Sequence, residues 1–73
     1  MKRFGENLRT LRERRGLSYR QLAAELGYDH SHLVKLESGK GLPSAGLIIA
    51  IVEYFGVSYD ELLDDKVELR KRS

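Results

Sequence analysis

Two stretches of helix length, Ser18 to Leu26 and Asp29 to Ser38, are joined through a single glycine, Gly27, and this junction constrains the fold more than any other feature. Ser18 and Gln21 form a capping box, in which each side chain satisfies an orphaned backbone amide of the other. Leu22, Ala23 and Leu26 follow on one face at helical spacing. Gly27 stands just past the last periodic residue, where a left-handed cap is adopted without strain by glycine. Asp29 then caps the next helix, whose apolar stripe is Leu33 and Leu36. So short a connector makes the two helices cross steeply, and Ala23 is small enough for the contact. The second helix is left with one face free of the core.

The rest of the chain supplies what such a pair packs against. A first helix is expected over Phe4 to Arg15, with Phe4, Leu8 and Leu11 on one face and Gly16 at its end. Gly39 to Pro43 is the longest irregular stretch, rich in turn residues. Ser44 caps a fourth helix that reaches Phe55 and stops at Gly56. Ser58 and Glu61 form a second capping box that opens a short fifth helix carrying Leu62 and Leu63. At 73 residues there is room for one small domain, and a domain of this size buries only about 60% of the surface its unfolded chain exposes.

Composition narrows the classes of function. With no cysteine there is no disulfide framework, thiolate metal site or thiol nucleophile, which fits a reducing interior. The longest unbroken apolar run, Leu47 to Val52, is far too short to cross a bilayer. Lys2 and Arg3 lead into an amphipathic segment rather than the apolar one of a signal peptide, so a soluble cytoplasmic protein is expected. The net charge of +2 hides an asymmetry: Met1 to Gly16 carries six basic residues against two acidic ones, whereas Pro43 to Asp65 carries five acidic residues and no basic one. A basic side and an acidic side suit a protein that turns one face to a polyanion. His30 and His32 do not make a metal site, because residues two apart on a helix point about 200° apart. No metal or cofactor is expected, and no small-molecule ligand is evident.

The segment from Phe4 to Leu63 resembles the Cro/CI-type helix-turn-helix family, also called the Xre family or lambda-repressor-like domains. The residues that carry the resemblance are Leu8, Leu11-Arg12, Gly16-Leu17-Ser18, Gln21-Leu22-Ala23, Leu26-Gly27, Leu33, Leu36-Glu37, Gly39, Pro43-Ser44, Gly56-Val57-Ser58 and Leu62-Leu63. Register holds over five helices without an insertion. The resemblance implies an all-α, compact five-helix domain over residues 1–65, with the helix-turn-helix formed by helices two and three. Residues 66–73 are expected to be a basic tail, frayed or disordered. The function implied is a sequence-specific regulator of transcription that binds double-stranded DNA, a repressor or autoregulator on a palindromic operator bound as a homodimer.

The resemblance also assigns residues. Bases are read in this family from the first turns of helix three, here Asp29, His30, Ser31 and Lys35. Lys35 can donate to guanine O6 and N7, His30 to a purine acceptor, and Ser31 can pair with several bases. Asp29 is better suited to capping, with cytosine N4 as a further partner. Val34 departs from the usual polar residue; it can touch a thymine methyl or pack against an aliphatic stem, and the second reading is slightly preferred. Phosphate anchors are expected at the start of helix two, from Ser18, Tyr19 and Arg20 beside free backbone amides. Lys40 and Gly41 supply another in the loop after helix three. Arg12 and Glu37 match a family pair that forms a structural salt bridge between helices one and three.

Helix four is more apolar than one monomer needs. Ile48, Ile51, Val52 and Phe55 suffice for the core, leaving Leu47, Ile49, Ala50 and Tyr54 as a surplus. Family dimers pair through this helix and the start of the fifth, so Leu47, Ile49 and Tyr59 are the expected dimer contacts. The alternative function is an interaction module, such as an antitoxin-like subunit whose main partner is another protein. The cations Arg20, Lys35 and Lys40 argue for DNA instead. An enzyme is not expected, since no nucleophile motif accompanies the scattered serines, histidines and carboxylates.

Overall fold

The computed structural model describes residues 3–63, and the expected tail at 66–73 lies outside them. Five α-helices follow one another: α1 Phe4–Arg14, α2 Tyr19–Leu26, α3 His30–Glu37, α4 Ala45–Phe55 and α5 Tyr59–Leu63. The starts of the last four are fixed by side-chain caps. The Gln21 amide donates to Ser18 Oγ at 3.1 Å and the Ser18 amide to Gln21 Oε1 at 2.9 Å, closing the capping box at α2. Ser58 and Glu61 close the same box at α5, at 3.0 and 3.1 Å. Asp29 Oδ1 accepts the Ser31 amide and Ser44 Oγ accepts the Leu47 amide, so α3 and α4 are capped as well. Gly27 ends α2 at φ 77°, a left-handed conformation in which any Cβ would be strained.

The core runs through all five helices. Leu8 and Leu11 of α1, Leu22 and Ala23 of α2, Leu33 and Leu36 of α3, Leu47, Ile51 and Phe55 of α4, and Leu62 of α5 are all buried. Leu47 is a correction to the expected dimer seam: it is fully buried, and the inner line of α4 is Leu47, Ile51 and Phe55 rather than Ile48, Ile51, Val52 and Phe55. Ile48 and Val52 are only partly buried against the core. The reason is rotational. Positions at i−4 and i+4 from Ile51 share its direction, and Ser44 pins the Leu47 amide in the first turn.

Two contacts without a periodic signal hold α1 in place. Asn7 is buried, and its Nδ2 donates to the carbonyls of Glu61 at 3.2 Å and Leu62 at 2.9 Å, fastening α1 to α5. Gly5 lets α1 approach the end of α3: a Cβ there would lie 2.8 Å from the Glu37 carbonyl oxygen and nearer still to that of Leu36. At the other end of α1, the Arg15 guanidinium lies 5.2 Å from the ring centres of both Tyr54 and Phe55 of α4.

Candidate nucleic-acid interface

The packing of α1 and α2 on α3 buries Leu33 and Leu36 and leaves the opposite side of α3 outward. At about 100° per residue, Ser31, Val34, Lys35 and Ser38 fall within one outward arc, and all four are exposed. His30 lies about a quarter turn to one side of that arc, half-buried, with Nδ1 3.4 Å from Asp29 Oδ1. Of the four residues expected to read bases, the fold therefore brings Ser31 and Lys35 onto the outward line and sets His30 at its edge. Asp29 is engaged as the cap. The Ser31 amide holds its carboxyl below the ordinary carboxylate range.

Beside α3 stands the start of α2, where Ser18 and Arg20 are exposed. Tyr19 is half-buried, and its ring lies 4.2 Å from the Arg12 guanidinium. Its ring is thus a packing surface as well as the carrier of a hydroxyl. Beyond α3, Lys40 is exposed, and its amide donates to the Lys35 carbonyl at 2.9 Å, which holds the loop against the helix end. A Cβ on Gly41 would make only ordinary contact with Leu36 and Lys35, at 3.6 and 3.7 Å, so no crowding within the domain requires glycine there.

The orientation of α3 is set from behind. Arg12 Nε donates to Glu37 Oε2 at 2.8 Å and Nη2 to Oε1 at 3.2 Å, a two-pronged ion pair between α1 and α3. Nη1 donates to the Leu17 carbonyl at 2.7 Å, in the turn before α2. The Glu37 carboxylate raises the Arg12 pKa further above its already high value, so the guanidinium stays charged at any working pH. Three of the five Arg12 N–H donors are thus directed at Glu37 and Leu17, tying α1 to α3 and to the turn before α2. Arg9 and Ser38, given no role by the sequence, border a recess of about 120 Å³ with Val34, Tyr19 and Glu37.

The comparisons fit this geometry. A family profile described as a helix-turn-helix domain matches residues 3–65. The chain belongs to the Cro/CI-type helix-turn-helix family of DNA-binding transcription regulators. It is 40% identical over 60 residues to the HTH-type transcriptional activator BcrR of Enterococcus faecalis, covering 82% of this chain and 29% of that one. It is 38% identical over 64 residues to the HTH-type transcriptional repressor RghR of Bacillus subtilis (strain 168), covering 86% of this chain and 47% of that one. The chain thus spans less than half the length of either relative. The restriction-modification controller protein C.AhdI from Aeromonas hydrophila superposes with a TM-score of 0.75 at 33% identity, over 84% of this chain and 92% of that one. The expected fold, five helices with the helix-turn-helix in α2 and α3, is the one found.

Proposed function

We propose that this domain binds duplex DNA sequence-specifically, with α3 in the major groove and the start of α2 and the Lys40 loop on the flanking phosphates. The observation that carries the reading is the outward arc of α3. Its donors, Ser31 and Lys35, stand clear of the core, with His30 and Asp29 at the helix start and the cations Arg20 and Lys40 on either side. Lys35 reads a guanine edge, Ser31 and His30 read neighbouring bases, and Asp29 chiefly holds the helix start. Ser18, Tyr19, Arg20, Lys40 and Gly41 position the backbone without carrying sequence information.

One such helix reads only a few base pairs, so a palindromic operator is bound by a homodimer with half-sites about one helical turn apart. Ile49 of α4 and Tyr59 at the start of α5, 44% and 49% exposed, are apolar residues open to that contact. On such an operator the protein serves as a transcription regulator in the cytoplasm, a repressor or autoregulator in this reading. Among the described residues no helix is long and apolar enough to cross a membrane.

Selection of bound sequences from a random duplex pool tests the reading. An inverted repeat is expected. Lys35→Ala then relaxes preference at one or two positions, at about 1–3 kcal/mol of discrimination. Lys40→Ala weakens all duplexes alike and lowers the salt slope by about one. No enrichment over several rounds, or a consensus unchanged by Lys35→Ala, would refute it.

A further inference from the structure

The recess between α3 and the start of α2 lies inside the proposed DNA footprint, since Val34 and Ser38 of the outward arc form one wall and Tyr19 another. Two of its polar side chains, Glu37 and Ser38, are engaged within the domain. Glu37 is held by Arg12 through two hydrogen bonds, and Ser38 Oγ donates to the Lys35 carbonyl at 2.9 Å. The Arg9 Nε stands 3.9 Å from both Glu13 and Glu37. Its apolar lining is the side of Val34, 40% exposed, and the ring of Tyr19, with the Arg12 guanidinium 4.2 Å from the ring centre. An apolar surface standing among hydrogen-bonding readers has one natural counterpart on a major-groove edge, the methyl on C5 of a pyrimidine.

We propose that this recess reads a pyrimidine C5-methyl, with Val34 as a specificity-determining residue beside Lys35. The inference rests on the DNA-binding reading above and adds a base preference to it. The methyl is that of thymine or of 5-methylcytosine, which present the same group at the same place.

The test uses the selected duplex and direct binding by fluorescence anisotropy at fixed salt. In one arm each thymine in turn is replaced by deoxyuridine, which removes only the methyl; in the other, each cytosine is replaced by 5-methylcytosine. Loss of one buried methyl contact predicts about fourfold weaker binding for deoxyuridine at one position in each half-site. Val34→Ala, at a partly exposed helix position, should remain folded and erase that difference. A gain of similar size from 5-methylcytosine, with thymine replacement silent, would assign the recess to methylated cytosine. Silence of both arms at every position, or full methyl discrimination retained by Val34→Ala, would overturn the proposal while leaving DNA binding intact. Failure to bind any duplex would overturn the DNA reading, and this inference with it.

Discussion

The ion pair between Arg12 and Glu37 allows a quantitative test of how the DNA-facing helix is held. Both side chains are enclosed, at 10% and 2% exposure, so solvent screens the pair little. Glu37→Leu leaves the guanidinium charge buried without its counterion, a change that typically costs about 3–5 kcal/mol. A domain of this size has a total stability of about 4–11 kcal/mol, so the single variant forfeits a large share of it. The midpoint should fall by about 4–8 °C for each kcal/mol lost. Arg12→Met should be damaging as well, since it leaves the enclosed carboxylate facing Arg9, 3.9 Å away, in place of its two-pronged partner.

The double variant, Arg12→Met with Glu37→Leu, removes both charges together. It loses the bond to the Leu17 carbonyl and the contact with Tyr19, for about 1–3 kcal/mol in all. It should therefore be more stable than either single variant. Urea unfolding followed by circular dichroism on all four proteins closes the cycle. A cost below about 1 kcal/mol for Glu37→Leu, or a double variant as damaged as the sum of the two singles, would refute the argument.

Three further outcomes are expected. Gly5→Ala should cost about 1–3 kcal/mol by thermal unfolding, because the new methyl meets the Leu36 and Glu37 carbonyls at the α1–α3 contact; a neutral substitution would show that the approach is not close. Leu47→Asp should unfold the domain, whereas Ile49→Asp should leave its unfolding midpoint unchanged and lower self-association in sedimentation, together with affinity for the full palindrome. Equal behaviour of the two would contradict the placement of α4. The Asp29 carboxyl is held below its unfolded value of about 3.9, so its contribution is complete above that pH and is lost as pH falls through the lower folded value. Acid unfolding of Asp29→Ala should accordingly be shallower than that of the wild type below about pH 4, and an unchanged profile would deny the cap its role.

The parts of this fold that were legible in the sequence are those set by local chemistry. Serine or aspartate before each of the last four helices, with glutamine or glutamate three residues on at two of them, marks a boundary through bonds that span only a few residues. Gly27 and Gly56 mark ends for the same kind of reason. What could not be read was rotation and close approach. Helix α4 is apolar almost all round, so its pattern does not say whether Leu47 or Ile48 faces inward; that choice is made by neighbours distant in sequence. Gly5 and Asn7 carry no local signal either, because the carbonyls that give them meaning lie more than thirty and more than fifty residues away, respectively. Within the candidate interface, Lys35 and Ser31 came from the family resemblance, with which the spacing of Leu33 and Leu36 agrees. The recess beside Val34 needed the position of α2 and α1 as well.

The opposite sides of α3 are answerable to different demands. Glu37, Leu33 and Leu36 are committed to α1, α2 and the core, while Ser31, Val34, Lys35 and Ser38 touch little that the domain needs in order to fold. A change of target sequence can therefore be written on a handful of solvent-facing letters without renegotiating the scaffold. Grafting those four positions from a relative onto this chain should transplant its base preference at little cost in stability, and libraries randomised there should consist mostly of folded members.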